Sequence, residues 1–209
     1  MSHLPRILIT CGPTWVKIDD VRVLSNISSG ELGHLLAEEL SRKTAVTLAE
    51  GAVTHALENK KVKKIKFRFF DELEKILKNE IKKHGVIIHA AAVSDFQLKK
   101  SFKNKISSSS KKLNLELVPT VKLINQFKKW NPNIFLVGFK LEPDLTEKNI
   151  KAKTQKLFQE AHCDLVVANR LKNYQAFVVN KSGDILKKVQ NKNDLAEFLT
   201  YYLSLTSYH

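Results

Sequence analysis

The feature that most constrains this chain is a regular alternation of short apolar runs with amphipathic segments. Arg6–Cys11 reads as a buried strand, and Ser29–Arg42 as a helix with Leu32, Gly33, Leu35, Leu36, Ala37 and Leu40 on its inner face. Ala45–Ala49 and Lys64–Phe70 are the next strands, and Asp71–His84 is a helix turning Leu73, Ile76, Leu77 and Ile81 inward. Val86–Ala92 is the apolar run of a central parallel strand. Thr120–Trp130 is expected to be a helix, Ile134–Phe139 a buried strand, Glu147–Ala161 a helix and Asp164–Ala168 a strand. Gln175–Asn180 and Ile185–Val189, joined by Lys181–Asp184, read as a hairpin, and Asn193–Leu203 closes the chain as a helix. Strand and helix alternating in this way predict an α/β fold, a three-layer sandwich around a mainly parallel sheet, with the hairpin at its C-terminal end. No repeat or Pro/Gly-rich linker divides the 209 residues, so a single domain over 1–209 is expected.

Right-handed crossovers place the loops that follow the strands along one edge, where such sheets bind ligands. Gly12–Gly30 has the wrong glycine spacing for a dinucleotide fingerprint, which argues against a nicotinamide-dependent oxidoreductase. Ser28 with Glu31 fits a capping box, and the N–H groups near Ser29 and Gly30 suit a phosphate at the helix start; a plain cap explains the spacing equally well. Asn26 offers a neutral amide beside them. His89–Asp95 ends the central strand in three alanines, which admit a flat group close to the backbone, and Asp95 can accept from a ribose hydroxyl or simply cap a turn. Ser94–Lys112 has no apolar period and carries Lys99, Lys100, Lys103, Lys105, Lys111 and Lys112 with four serines; it reads as a flap over phosphates or as a solvated charge run. Leu113–Val118 alternates like an exposed strand, and Phe139 is either a base-stacking ring or core.

Charge bears on the choice of partner. Lys+Arg is 35 against Asp+Glu 21, a net charge of +14, yet only Arg6, Arg22, Arg42, Arg68 and Arg170 are arginine. Readers of base edges favour arginine, so a small anionic substrate is preferred over nucleic acid. No apolar run is long enough for a membrane span, and Met1–Ile9 lacks a signal peptide's apolar region. Cys11 and Cys163 make no disulfide framework and read as packing residues, and the histidines show no metal spacing; a cytoplasmic protein is expected.

Taken in order, these signals resemble the phosphopantothenate–cysteine ligase family. Gly12–Thr14, Asp19–Val23, Ser25–Gly30 and Gly33 resemble its opening, and His89–Asp95 its second signature. Lys105 and Ile106 stand where the family has Lys-Ile, Leu115–Val118 and Val137–Glu142 follow in register, and Asp164–Asn169 resembles a later strand, so the likeness runs from about Arg6 to Leu205. It implies a Rossmann-like fold in a stand-alone form without the flavin-dependent decarboxylase often fused ahead. It also implies a reaction: 4′-phosphopantothenate, activated by a nucleoside triphosphate with Mg²⁺ (CTP, with ATP possible), is coupled to cysteine in coenzyme A synthesis.

By the same resemblance, Asn26 holds the acyl-nucleotide and Lys105 stabilises the first transition state. Gly12, Ser28, Ser29 and Gly30 match the phosphate cradle; Ala91, Ala92, Asp95, Val121, Lys122, Leu123, Ile124, Phe139 and Lys153 match nucleotide contacts. A homodimer is implied as well. The chain departs from the pattern at Ile27, where the family has Arg, at Glu31, where many members have Lys, at Val118–Thr120, and at a helix lysine missing at Leu157 or Ala161, for which Lys140, Lys153 or Lys156 compensates. These departures leave a second reading open: a non-catalytic nucleotide-binding module of the same fold.

Overall fold

A computed structural model describes residues 4–107, 109 and 112–208. In chain order the elements are β1 (Ile7–Cys11), β2 (Trp15–Lys17), β3 (Val23–Ser25), α1 (Glu31–Leu40), β4 (Val46–Glu50), β5 (Lys63–Lys66), α2 (Phe70–Glu80), β6 (Val86–His89), β7 (Phe96–Leu98), β8 (Leu117–Pro119), α3 (Phe127–Trp130), β9 (Phe135–Leu141), α4 (Ile150–Glu160), β10 (Leu165–Arg170), β11 (Gln175–Asn180), β12 (Ile185–Val189) and α5 (Lys192–Leu205). One sheet takes the order β12-β11-β10-β9-β6-β1-β4-β5. Its six strands from β5 to β10 are parallel, and only the β11–β12 hairpin is antiparallel.

Strand parity sorts the core into two layers. In β1, Ile7, Ile9 and Cys11 face α1 and α5, where Leu36, Leu40, Leu195 and Leu199 pack with them. Leu8 faces the other side, among Leu73, Leu77 and Ile81 of α2 and the turn after it, and Phe127 of α3. Period-two burial on both faces explains why the central strands read as unbroken apolar runs. The chain leaves β1 toward β4 and β5 in one direction and returns through β6, β9 and β10 in the other. The reversal falls between β1 and β6, and a crevice opens there at the carboxyl ends of the strands.

Three expectations fail in instructive ways. Thr120–Trp130 is not one helix: Leu123–Gln126 is a 3₁₀ turn leading into the single turn of α3. Thr120 is held to the strand-end loop by Thr120 N–H to Asp95 O at 2.9 Å and Thr120 Oγ1 to Ser94 O at 2.7 Å, and Lys122 stays extended, so helical geometry starts only at Leu123. Ser94–Lys112 is not loop throughout, because Phe96–Leu98 pairs antiparallel with Leu117–Pro119. Three residues are too few to show a period. Ser108, Ser110 and Lys111 lie outside the described residues. The capping box of Ser28 and Glu31 does not form. Gly30 occupies the N-cap at φ 76°, no side chain caps the helix, and the Glu31 carboxylate pairs with Lys192 instead. Among the described residues no helix is long and apolar enough to cross a membrane.

Candidate functional site

The crevice is lined from both sides of the reversal. Leaving β1, the chain runs beside the chain leaving β6: Ala92 N–H donates to Gly12 O at 2.9 Å and Thr14 N–H to Ala92 O at 3.3 Å. Ser94 N–H donates to Thr14 Oγ1 at 2.9 Å. Between Thr14 and Asn26 the chain forms the β2–β3 hairpin, unforeseen because each strand has three residues. The hairpin returns Asn26 to the crevice, where its Nδ2 donates to Ala92 O at 3.2 Å and Val93 O at 3.4 Å. Asn26 therefore bridges the two loops predicted to carry chemistry.

Gly30 makes the turn into α1. Its left-handed backbone disfavours any side chain, and a Cβ there would stand 2.6 Å from Val53 Cγ1. Glu31 N–H reaches Ser29 Oγ at 3.4 Å, the N-cap glycine offers no side chain to the rest of the first turn, and α1 starts at a cavity of about 380 Å³ lined by Ser28, Ser29, Gly30, Tyr174 and Lys192. A second cavity, of about 710 Å³, is lined by Asn26, His89, Asp95, Val121–Asn125, Lys140, Lys153 and Lys156. Ile27, Ala91, Ala92, Phe139, Leu141 and Leu171 line both, so the two are adjoining chambers of one crevice.

Of the predicted site residues, all but Gly12 and Lys105 line this crevice. Gly12 lies behind the wall, joined to it through Ala92. Lys105 is exposed, and its neighbour Ile106 is fastened to the β2–β3 turn by Asp19 and Arg22. Asp95 is in an ion pair with Lys122. Lys153 bonds Glu142 at 2.8 Å and Asp144 at 3.3 Å, which raises its pKa, while Lys153 and Lys140 together depress that of Glu142.

Some features had no signal in the sequence. His89 ends β6 with its ring edge-on to Phe127 at 4.9 Å. The Thr10 hydroxyl accepts Ala91 N–H at 3.2 Å and hydrogen-bonds His89 Nδ1 at 2.8 Å. Burial lowers the His89 pKa to about 4, which keeps the ring neutral. Tyr174 and Lys192 come from the far end of the chain, and only the β10–β11 turn and the start of α5 bring them in. Cys11 and Cys163 are buried, and desolvation pushes both thiols up to about 12, in keeping with packing rather than nucleophilic roles. The histidines are not all scattered, however, since His34 meets Cys11 and Glu50.

Fold and crevice together define a Rossmann-like α/β protein whose site lies at the switch point of a 3-2-1-4-5-6 parallel sheet. Residues 3–199 match the DNA/pantothenate metabolism flavoprotein C-terminal domain family, and the chain belongs to it. The coenzyme A biosynthesis bifunctional protein CoaBC of Thermococcus kodakarensis is 39% identical over 204 residues, covering 93% of this chain and 49% of that protein. The chain thus spans about half the length of that relative. A DNA/pantothenate metabolism flavoprotein from Streptococcus pneumoniae superposes with a TM-score of 0.86 at 29% identity, over 95% of this chain and 98% of that one. The C-terminal domain of a CoaBC protein does so with a TM-score of 0.79 at 25% identity, over 96% and 94%.

Proposed function

We propose that this chain is a phosphopantothenate–cysteine ligase. A carboxylate oxygen of 4′-phosphopantothenate attacks the α-phosphorus of a nucleoside triphosphate, CTP before ATP, and pyrophosphate leaves. The amine of cysteine then attacks the acyl carbon, the bond to the nucleotide phosphate breaks, and the nitrogen's proton passes to water.

The observation that carries this reading is the single two-chambered crevice in which Asn26 bonds the Ala92 and Val93 carbonyls. The smaller chamber, at the start of α1 with Ser28, Ser29 and Lys192, suits phosphates. The larger, with Ala91, Ala92, Phe139 and the Val121–Ile124 backbone, suits a base and ribose. Asn26 at their junction orients the acyl-nucleotide. Lys105 sits on a segment anchored beside the hairpin and approaches the transferring phosphate when that segment closes.

Mg²⁺ supplies charge neutralisation at the triphosphate. The wall suits an ion held by phosphate oxygens and water, since its carboxylates, Asp95, Glu160 and Glu31, already face Lys122, Lys156 and Lys192. The reading includes a homodimer, supported by the apolar Leu24, Ile27, Phe96 and Leu117 exposed on and beside the two small ribbons.

The test is pyrophosphate release from 4′-phosphopantothenate, cysteine and Mg²⁺ with CTP, ATP, GTP and UTP in turn. Release with CTP, coupled to formation of the cysteine amide, supports the ligase. Calorimetric nucleotide binding without release from any of the four would replace it with the non-catalytic module.

A further inference from the structure

Cys11 and Glu50 are the last residues of β1 and β4 and are register partners on these parallel strands. Strand parity turns both toward α1: the preceding alternate residues, Ile9 and Leu48, belong to the core layer under that helix. The helix comes unusually close, because Gly33 lies against Cys11, where a Cβ would stand 2.2 Å from the Cys11 Cβ. The next residue, His34, then reaches across, with its Nε2 2.7 Å from Glu50 Oε1. One thiol sulfur, one imidazole nitrogen and one carboxylate oxygen thus lie within 4.8 Å of one another.

Glu50 is poorly explained as packing. Glu50 is 1% exposed, and among the described residues no lysine or arginine pairs with it; its partners there are the His34 ring and a long contact from Leu57 N–H at 3.4 Å. Buried carboxylates are ordinarily paired with a cation or bound to a metal. A thiolate, an imidazole and a carboxylate are a borderline-soft donor set of the kind zinc and its neighbours take, with three protein ligands and a fourth position open. Mg²⁺, which prefers oxygen, does not suit a sulfur ligand.

We propose that Cys11, His34 and Glu50 bind a divalent transition-metal ion of the zinc class, separate from the Mg²⁺ that accompanies a triphosphate. An ion at about 2.0–2.3 Å from each atom replaces the hydrogen bond between His34 and Glu50, whose 2.7 Å contact widens to admit it. Binding expels the Cys11 thiol proton to solvent and takes the lone pair of His34 Nε2, leaving a neutral imidazole with its one ring proton on Nδ1, and nothing is oxidised or reduced. The ion fastens the ends of β1 and β4 to the first turn of α1. Cys11 also lines the smaller chamber, so the metal stiffens the floor of the proposed phosphate cradle.

The experiment titrates the untagged full chain, stripped with chelator and dialysed, with Co²⁺ and follows the absorption spectrum. Expected are a thiolate-to-cobalt charge-transfer band saturating at one equivalent and its loss when Zn²⁺ is added. Cys11→Ser abolishes the band, His34→Gln weakens Co²⁺ affinity by at least roughly tenfold, and Cys163→Ser changes neither. Zn²⁺ raises the thermal midpoint of the unsubstituted chain and leaves that of Cys11→Ser where it was. If Cys11→Ser does not fold, His34→Gln decides. Absence of the band in the unsubstituted chain, or unchanged Co²⁺ affinity in His34→Gln, overturns the proposal. None of these readings depends on ligase activity.

Discussion

Asp19 Oδ2 accepts the backbone N–H of Ile106 at 3.0 Å, across 87 positions of sequence. The same oxygen receives Arg22 Nη1 at 2.5 Å, and Oδ1 receives the N–H groups of Val21 and Arg22 at 2.9 and 2.8 Å. A buried carboxylate therefore holds the β2–β3 turn and the residue after Lys105 in one place while Lys105 itself stays in solvent. The Ile106 N–H, then those of Val21 and Arg22, and the Arg22 guanidinium hold the Asp19 pKa down at about 2.

Asp19→Asn removes the charge and one acceptor at constant size. Pyrophosphate release should slow by about ten- to a hundredfold, with the Michaelis constant for nucleotide less affected, as expected when a catalytic group is misplaced rather than lost. The pH dependence follows from the sign of the shift. A carboxyl depressed in the folded state contributes its fastening above the ordinary carboxyl range and loses it as pH falls toward 2. Protection of the Ile106 amide from hydrogen exchange should hold from neutral pH to about 4 and then fall. The variant should lack protection throughout, and equal protection in both proteins would detach Asp19 from the flap.

Lys105 and Asn26 should fail in different steps. Lys105→Ala removes charge from the first transition state and should slow pyrophosphate release by roughly 10²–10³-fold. Asn26→Asp exchanges an N–H donor for an anion facing the Ala92 and Val93 carbonyls, so the junction is repelled where it was bonded. Pyrophosphate should still appear in a single burst while formation of the cysteine amide falls sharply. Rapid-quench measurement of both products separates the two. Ordinary turnover in either variant would remove that residue's assigned role.

The large elements were legible because burial on both faces writes apolar runs and helical periods that survive in one sequence. The mainly parallel sheet followed from alternation, and handedness put its loops and the crevice along one edge; the order of the strands did not follow from either. What escaped was short or held by distant partners. β2, β3 and β7 have three residues each, too few for a pattern, and the strand expected over Leu113–Val118 is shortened to β8, Leu117–Pro119. The expected box at Ser28 and Glu31 satisfied a local rule, but a left-handed Gly30 and a lysine from α5 overrode it. Cys11, His34 and Glu50 sit on three elements, and only strand register and close helix approach bring them together.

His89 should make stability depend on pH on the acid side of neutrality. Its ring is buried and neutral, with a pKa lowered from 6.5 to about 4. The unfolded chain therefore binds more protons in that window. The stability His89 gives is complete above about 6.5 and lost as pH falls toward 4, and the shift corresponds to about 3 kcal/mol. Urea unfolding at pH 7, 6 and 5 should show the decline. His89→Leu should flatten it in part, because His84, whose pKa burial also lowers, stays in place. At pH 7 the variant should lose roughly 1 kcal/mol with the Thr10 hydrogen bond. An unchanged slope would mean that the ring is protonated in the folded protein.

Glu31 looks like a liability at the mouth of a phosphate cradle, yet Lys192 forms an ion pair with it there. The pair is partly exposed, so its direct contribution to stability is about 0–1 kcal/mol. Its larger consequence is for the field met by an incoming triphosphate. With Lys192 in place the carboxylate is neutralised and the cradle's N–H groups dominate. Lys192→Ala leaves an unpaired anion near the phosphates and should weaken nucleotide binding by about tenfold at low salt, and less at high salt. Glu31→Ala frees the Lys192 ammonium and should tighten binding. The double variant should return close to the parent value, because both charges of the pair leave together, as read by calorimetry with CTP and Mg²⁺. A double variant that binds as weakly as Lys192→Ala would mean that the Glu31 charge does not act on the nucleotide, and that Glu31 is tolerated for a reason other than its partner.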